Sequence, residues 1–557
     1  MIEHRGPISG VAADGALVAT AGYDNQVILW DAQRKQAISR AFHDHLANQC
    51  SFTPCGRFLL TSSSDHTARL WKVPSLQLVA VLGDHDDDVE SCAAHPNREL
   101  VATASRDHGV RVYDFDGGLV RHLEGHTADV ISVAWIGADL LVSSSDDGTI
   151  RRWATNTGEC LDTVSMDGVE TDTIAVAEDG TIFAGDDSGT ITVIDGDTAT
   201  RIQAHDAGIK RIVYSPSARM LVSLSYDRTA SIWRRNGTLE LVVSADLPPV
   251  VWPRSCAFLG DDKLVFATFG SSYATYDIPT GSWDVEGVHD TISLNAVAPF
   301  HGGLLTVGDA GVVRRDGAPL HKLPSLCNFL TPAGPVVITG GQTGQVFDAL
   351  SGRMLHQHRS PLNCGAAFER DGVRHVIVGT YTGEGLVFRV DDDGAVELAA
   401  TVELHANAVK GVAAGDGVIF SVCADTAVAF HATDDLRLLE RRHAAHERIA
   451  NGCVALGDGG FASVGRDHKL RIWREQRGEA VDTPHTHSIK CVSASSDGDI
   501  VATASYNGTI ALYDRRERRW TRVIRPTAAG ISSIAYDAAR SVFLASSYDG
   551  AVHEVAR

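Results

Sequence analysis

Residues 144–154 read SSDDGTIRRWA, and their pattern recurs from one end of the chain to the other. Small Ser, Thr and Gly residues form a first strand, an Asp-containing turn follows, and a β-branched second strand ends in an aromatic residue. AGYDNQVILWD (21–31), SSSDHTARLWK (62–72), ASRDHGVRVYD (104–114), LSYDRTASIWR (224–234), VGRDHKLRIWR (464–474) and ASYNGTIALYD (504–514) are clear copies. Weaker ones, such as GDDSGTITVID (185–195), CADTAVAFH (423–431) and SYDGAVHEV (547–555), keep the strands but lose marker residues. The terminal positions are Trp30, Trp71, Tyr113, Trp153, Ile194, Trp233, Tyr276, Arg315, Phe347, Phe388, Phe430, Trp473, Tyr513 and Val555. They lie 39–43 residues apart except for one step of 32. That period is the length of a four-stranded antiparallel unit.

A His precedes the Asp of the strongest copies by 20–22 residues, and the Asp lies six residues before the aromatic. With these spacings the chain resembles the WD-repeat family of β-propellers along nearly its whole length. The resemblance implies a structural tetrad in five repeats: His4, Thr20, Asp24, Trp30; His43, Thr61, Asp65, Trp71; His126, Ser143, Asp147, Trp153; His205, Ser223, Asp227, Trp233; and His446, Ser463, Asp467, Trp473. His85, Thr103 and Asp107 have Tyr113 in place of Trp. These residue types form a buried relay, indole to hydroxyl to imidazole to carboxylate, in which each member satisfies the next. They are therefore expected to be structural rather than hydrolytic triads.

Propellers hold four to eight blades, so fourteen repeats of about 40 residues imply an all-β chain of two tandem seven-bladed β-propellers. The expected domains are 1–287 and 288–557. The last repeat stops after its third strand, so either Met1 to Glu3 supplies an outer strand or the final blade has three strands.

Composition narrows the function. At 557 residues, with 44% hydrophobic and 21% charged residues, the chain can bury large cores; 53 Gly and only 4 Met suit short strands and tight turns. The net charge of −21, from 49 basic and 70 acidic residues, argues against phosphate-rich partners, so nucleic acid and anionic membranes are disfavoured. No apolar run reaches a membrane span, and the start, MIEHRGP, lacks a secretory signal. Ten cysteines without a C-x-x-C pair suit a reducing cytoplasm rather than a disulfide framework or a zinc site. No nucleophile elbow, phosphate loop, zinc-protease motif or dinucleotide fingerprint follows a suitable strand.

The remaining candidates have plain structural readings. The pairs His43 and His45, His356 and His358, and His485 and His487 could bind metal, but two members already occupy tetrad positions. The stretches Asp84 to Asp88 and Asp391 to Asp393 lack calcium-loop spacing and read as solvated turns. Cys50, Cys92 and Cys453 fall seven residues after a repeat's His and read as small buried hydrophobes. Arg515, Arg516, Arg518 and Arg519 with Trp520 read as salt-bridged surface.

In WD-repeat proteins the residues three and five after the tetrad His, and one before the tetrad Asp, often bind partners. On the first propeller these offsets imply an acidic sector of Asp88, Glu90, Asp129, Asp146, Glu170, Asp172 and Asp187, relieved by Arg106. Opposite it fall Tyr23, Lys210, Tyr226, Trp252, Arg254 and Phe269. The second propeller's Lys410, Arg466, Lys490, Tyr506 and Tyr548 are more basic. The expectation is a non-enzymatic, cytoplasmic protein-interaction scaffold without cofactor or metal, gripping a basic and aromatic segment of a partner protein. The competing reading is a propeller enzyme or small-ligand binder with its site in a central funnel.

Overall fold

Why the repeat folds as it does is visible in its tightest turn. In SSDDGTIRRWA, the Asp147 carboxylate accepts the backbone N–H of Thr149 at 2.9 Å, closing an Asx-type turn around Gly148 at φ 71°. The residue at the Gly148 position is left-handed in other copies too: Asn25, His66, His108, Arg228 and His468 have φ between 56° and 70°. That conformation is costly for a side chain, and the Asp hydrogen bonds offset the cost.

The computed structural model describes residues 2–557, and among these every regular element is a β-strand. Consecutive strands pair antiparallel into thirteen four-stranded sheets and a last sheet of three, Ile531–Asp537, Val542–Ser547 and Val552–Ala556. First, second and third strands are largely buried, whereas fourth strands such as Glu159–Ser165 face solvent.

The chain folds into two compact units, residues 1–291 and 292–557. Residues 289–291 belong with the first because Ser271 exchanges hydrogen bonds with His289, and Thr291 Oγ1 donates to the Phe269 carbonyl.

In the first unit, each sheet's first strand packs on that of the next sheet, and the seventh, Val251–Phe258, returns to the first, Ile8–Asp14. One apolar cluster closes this cycle, with Ile8, Val11, Ile28 and Trp30 packed against Val265, Ala267 and Tyr273. The His4 N–H also donates to the Ser271 carbonyl at 2.9 Å. Closure is thus by side-chain packing, with no strand shared between sheets among the described residues.

In the second unit the same neighbour relation runs from Leu294–Phe300 to Ile531–Asp537 and back. Its last sheet has three strands. Ile2 and Glu3 lie in the first unit, Ile2 against the closing cluster and the Glu3 carbonyl accepting from Gln26 at 3.3 Å. Met1 lies outside the described residues.

Strand registers correct three of the weak markers. Trp30 pairs with Val18, and by the same register the equivalent residues are Asp316, Ala349 and His431 rather than Arg315, Phe347 and Phe430. The turn keeps this site six residues after its Asp position even where no aromatic marks the end.

Candidate functional site

The tetrads fix the turns that carry the rim. In the repeat of Trp153, the indole N–H donates to Ser143 Oγ at 2.8 Å, Ser143 meets His126 Nε2 at 2.8 Å, and His126 Nδ1 meets Asp147 at 2.8 Å. The other four complete sets make the same three contacts, for example Trp30 to Thr20 at 2.8 Å, Thr20 to His4 at 2.7 Å and His4 to Asp24 at 3.0 Å. Tyr113 cannot reach Thr103 as an indole does, and its hydroxyl donates to the Gly83 carbonyl instead. Burial pushes the Asp467 carboxyl up, but His446 and Arg471 override it and hold the group at about 2. Burial also depresses His43, His85 and His446, keeping the imidazoles neutral. All five complete sets are relays with every member engaged, which leaves no nucleophile activated by them.

Two rows of side chains at matched register surround the mouth of the first unit. The second residue of the first strand supplies Ser9, Asn48, Glu90, Ile131, Lys210 and Trp252, and in the fifth sheet Asp172, just before the strand Thr173–Val176, takes that place. The residue before each tetrad-Asp position supplies Tyr23, Ser64, Arg106, Asp146, Asp187, Tyr226 and Phe269.

These groups are joined by charge. Arg106 donates from Nε to Glu90 at 2.5 Å and from Nη1 to Asp129, and Arg254 reaches Glu90 at 3.4 Å while lying over the Trp252 ring at 5.7 Å. Lys210 donates to Asp172 at 2.5 Å and to Asp187, with Tyr226 beneath it at 5.1 Å. Carboxylate contact outweighs desolvation and raises both Arg106 and Lys210. Between these clamps sits Asp146. Burial, and then Asp129, Asp172 and Glu170, push its carboxyl well above the usual range against the pull of Arg106. Its Oδ1 is buried without a hydrogen-bond partner among the described residues.

The acidic residues expected at this face are thus brought together, but not as a bare anionic surface. Asp88 and Glu90 are buried, while Asp129, Asp146, Glu170, Asp172 and Asp187 are half-buried. Four of the seven carboxyls, Glu90, Asp129, Asp172 and Asp187, pair with Arg106, Lys210 and Arg254. The aromatic side differs from expectation in accessibility. Trp252 and Phe269 are only 7% and 5% exposed, stacked on each other at 5.3 Å, with Tyr23 edge-on to Trp252 at 5.2 Å. Tyr23 and Tyr226 remain half-buried and reachable.

The family model "WD domain, G-beta repeat" matches residues 1–31, 37–72, 76–114, 117–154, 196–234 and 478–514. The chain carries WD repeats. Similar proteins include the transcriptional corepressor LEUNIG_HOMOLOG of Arabidopsis thaliana, 23% identical over 40% of this chain and 34% of its own length. WD repeat-containing protein 37 of Mus musculus is 38% identical over 18% of this chain and 20% of its own. Nuclear distribution protein PAC1 of Arthroderma benhamiae is 31% identical over 28% and 39%. The alignments therefore span between a fifth and two fifths of these relatives.

The other candidates of this WD-repeat chain fall where packing needs them. His485 bonds Thr503 at 2.8 Å, His358 meets Glu384 at 3.1 Å, and His487 meets Asn507 at 3.0 Å. Arg515, Arg516 and Arg519 pair with Asp458, Asp499 and Glu517 at 2.6–2.8 Å, Arg518 pairs with Glu479, and the Trp520 indole donates to the Asp482 carbonyl. Cys50 and Cys92 are buried, whereas Cys453 lines a cavity of the second unit. Two clusters with ligand atoms within 4.8 Å of one another, His405 with Cys423 and Asp425, and His66 with Asp87 and Asp88, were not visible in sequence. The first occupies a tetrad whose Trp position is His431. The second belongs to the acidic rim.

The second unit's mouth has the rows Asn295, Asn328, Asn363, Lys410, Asn451, Lys490, Ser532 and Asp309, Gln342, Tyr381, Ala424, Arg466, Tyr506, Tyr548. Asn328 and Asn451 each donate to a carbonyl of the following sheet, at 2.8 Å in both cases.

Proposed function

We propose that this WD-repeat chain is a non-enzymatic scaffold of two tandem seven-bladed propellers, and that the first unit's mouth grips a basic segment of a partner protein. Two cycles of seven sheets support the architecture. The observation that carries the binding mode is Asp146. Its partnerless, buried oxygen lies among three further acids, Asp129, Glu170 and Asp172, and an incoming guanidinium would satisfy it with charge-assisted hydrogen bonds. Tyr23 and Tyr226 stand on the same rim, beside Trp252 and Lys210, and suit an aromatic neighbour in the guest. Relatives named a corepressor and a nuclear distribution protein agree with a general role in protein interaction.

Ten free cysteines favour a reducing compartment, and we place the protein in the cytoplasm on that ground. No helix is long and apolar enough to cross a membrane among the described residues.

The test is binding of Arg-containing peptides, with and without an aromatic neighbour, to the wild type and to the Asp146→Asn, Glu170→Gln double variant at constant ionic strength. Loss of at least about tenfold in affinity supports the reading. Equal affinity refutes it. Reversing Glu90 or Asp129 to Lys is a poorer test, because stranding Arg106 costs about 3–5 kcal/mol and endangers the fold.

A further inference from the structure

Lys210, Lys410 and Lys490 stand at one and the same place in their sheets, the second residue of the first strand. Each lies over a tyrosine: Lys210 over Tyr226 at 5.1 Å, Lys410 over Tyr381 at 4.6 Å, Lys490 over Tyr506 at 5.6 Å. Their counter-charges differ. Lys210 closes on Asp172 and Asp187, which come from the two mouth positions of the preceding sheet. For Lys410 those two positions hold Asn363 and Tyr381; for Lys490 they hold Asn451 and Arg466.

Both carboxylates are therefore replaced by neutral or cationic groups in both cases, and neither Lys410 nor Lys490 makes an ion pair among the described residues. The asparagines carry no charge to offset an ammonium. Asn363 donates to the Val409 and Lys410 carbonyls at 3.1 and 3.3 Å, and Asn451 to the Ile489 carbonyl at 2.8 Å. The rim carboxyl of this unit, Asp309, is buried; its Oδ1 accepts from Asn295 at 2.9 Å, and its Oδ2 has no hydrogen-bond partner among the described residues.

Both lysines line one cavity of about 250 Å³ in the second unit, with no Asp or Glu among the described residues of its wall. Withdrawing an ammonium from water without a counter-charge is unfavourable, and the ring face of a tyrosine recovers only about 0.5–2 kcal/mol of that. In the first unit the protein supplies the anions itself. In the second it supplies the cations and a cavity.

We propose that this cavity is a binding site for a compact dianion of the phosphate class, held between Lys410 and Lys490. Two ammoniums match the two charges of a phosphate or phosphomonoester, and the volume suits a small solute rather than a folded segment. This site is independent of the peptide reading for the first unit.

The test is calorimetric titration of the full chain with inorganic phosphate and with glycerol phosphate, chloride making up constant ionic strength, in the wild type, Lys410→Gln, Lys490→Gln and the surface control Lys72→Gln. The expected result is saturable one-to-one binding, weakened at least about tenfold by either mouth substitution and unchanged by the control. Tighter binding of orthophosphate marks a free ion as the ligand, and tighter binding of the ester marks a small organic phosphate. Absence of binding, or equal binding in the Lys410→Gln, Lys490→Gln double variant, overturns the proposal. An acidic peptide that binds where both phosphates fail overturns it in favour of a protein guest. Should the variants misfold, amine acylation of the wild type decides: phosphate must protect Lys410 and Lys490, and unchanged labelling refutes the site.

Discussion

Arg106 and Asp146 occupy the same rim position in adjacent sheets, each one residue before a tetrad Asp, and they carry opposite charge. Arg106 is spent on Glu90 and Asp129, so Asp146 keeps an oxygen with no partner among the described residues. The repeat supplies a fixed frame, and single-residue choices on that frame decide what each mouth lacks.

The raised Asp146 carboxyl makes stability depend on pH in a defined direction. Between the unfolded value near 3.8 and the higher folded value, the folded state holds more protons, so stability falls as pH rises through that window. Asp146→Asn should remove this loss and raise the melting temperature of the first unit at neutral pH. Urea denaturation of wild type and variant at several pH values checks it, with a difference that grows by at most about 1.4 kcal/mol per pH unit.

Asp309 gives the same sign in the second unit. Burial pushes its carboxyl up to about 7, with Asn295 and Ser293 opposing. Its penalty should develop between about pH 4 and pH 7 and then level off. Asp309→Asn should stabilise the unit above neutrality and leave it unchanged in acid, as read by hydrogen exchange of the Leu294–Phe300 strand.

The tetrads act in the opposite direction. Asp467 is held at about 2, so its contribution is present above the unfolded value and is lost as pH falls through the folded one. Asp467→Asn should cost about 2 kcal/mol at neutral pH, and the difference should shrink below pH 4 and vanish only below about pH 2. Exchange protection across Phe461–Gly465 and Lys469–Arg474 is the readout.

Thiol reactivity checks burial. Cys55 and Cys160 are exposed, while burial pushes Cys92, Cys256, Cys327, Cys364 and Cys491 up to about 12. A native titration with a thiol-specific disulfide reagent should show two fast thiols, a slower reaction of the cavity-lining Cys364, Cys453 and Cys491, and release of the buried Cys50, Cys92, Cys256, Cys327 and Cys423 only on unfolding.

Much of this was legible in the sequence. The period, the five complete tetrads and the turn chemistry follow from residue types whose hydrogen bonding leaves little choice, and the contacts of His126, Ser143, Asp147 and Trp153 realise it. Where the Trp is missing, aromatic side chains mislead: Phe430 is a neighbour of the Trp position, and His431 stands in it. The mouth residues were legible as positions but not as partners. Sequence offsets place Arg106, Lys210 and Arg254 on the rim, but which carboxylate each reaches depends on the neighbouring sheet's register. The burial of Trp252 and Phe269 likewise depends on each other's rings rather than on local pattern.

The central claim is that the first mouth recognises a basic segment through Asp146 and its acidic neighbours. The most direct measurement is the affinity of an Arg-containing peptide for wild type and for the Asp146→Asn, Glu170→Gln variant, both verified as folded by near-ultraviolet circular dichroism. The account predicts that binding falls by about tenfold or more and that the remaining binding loses its salt dependence. Unchanged affinity with unchanged salt dependence would contradict it.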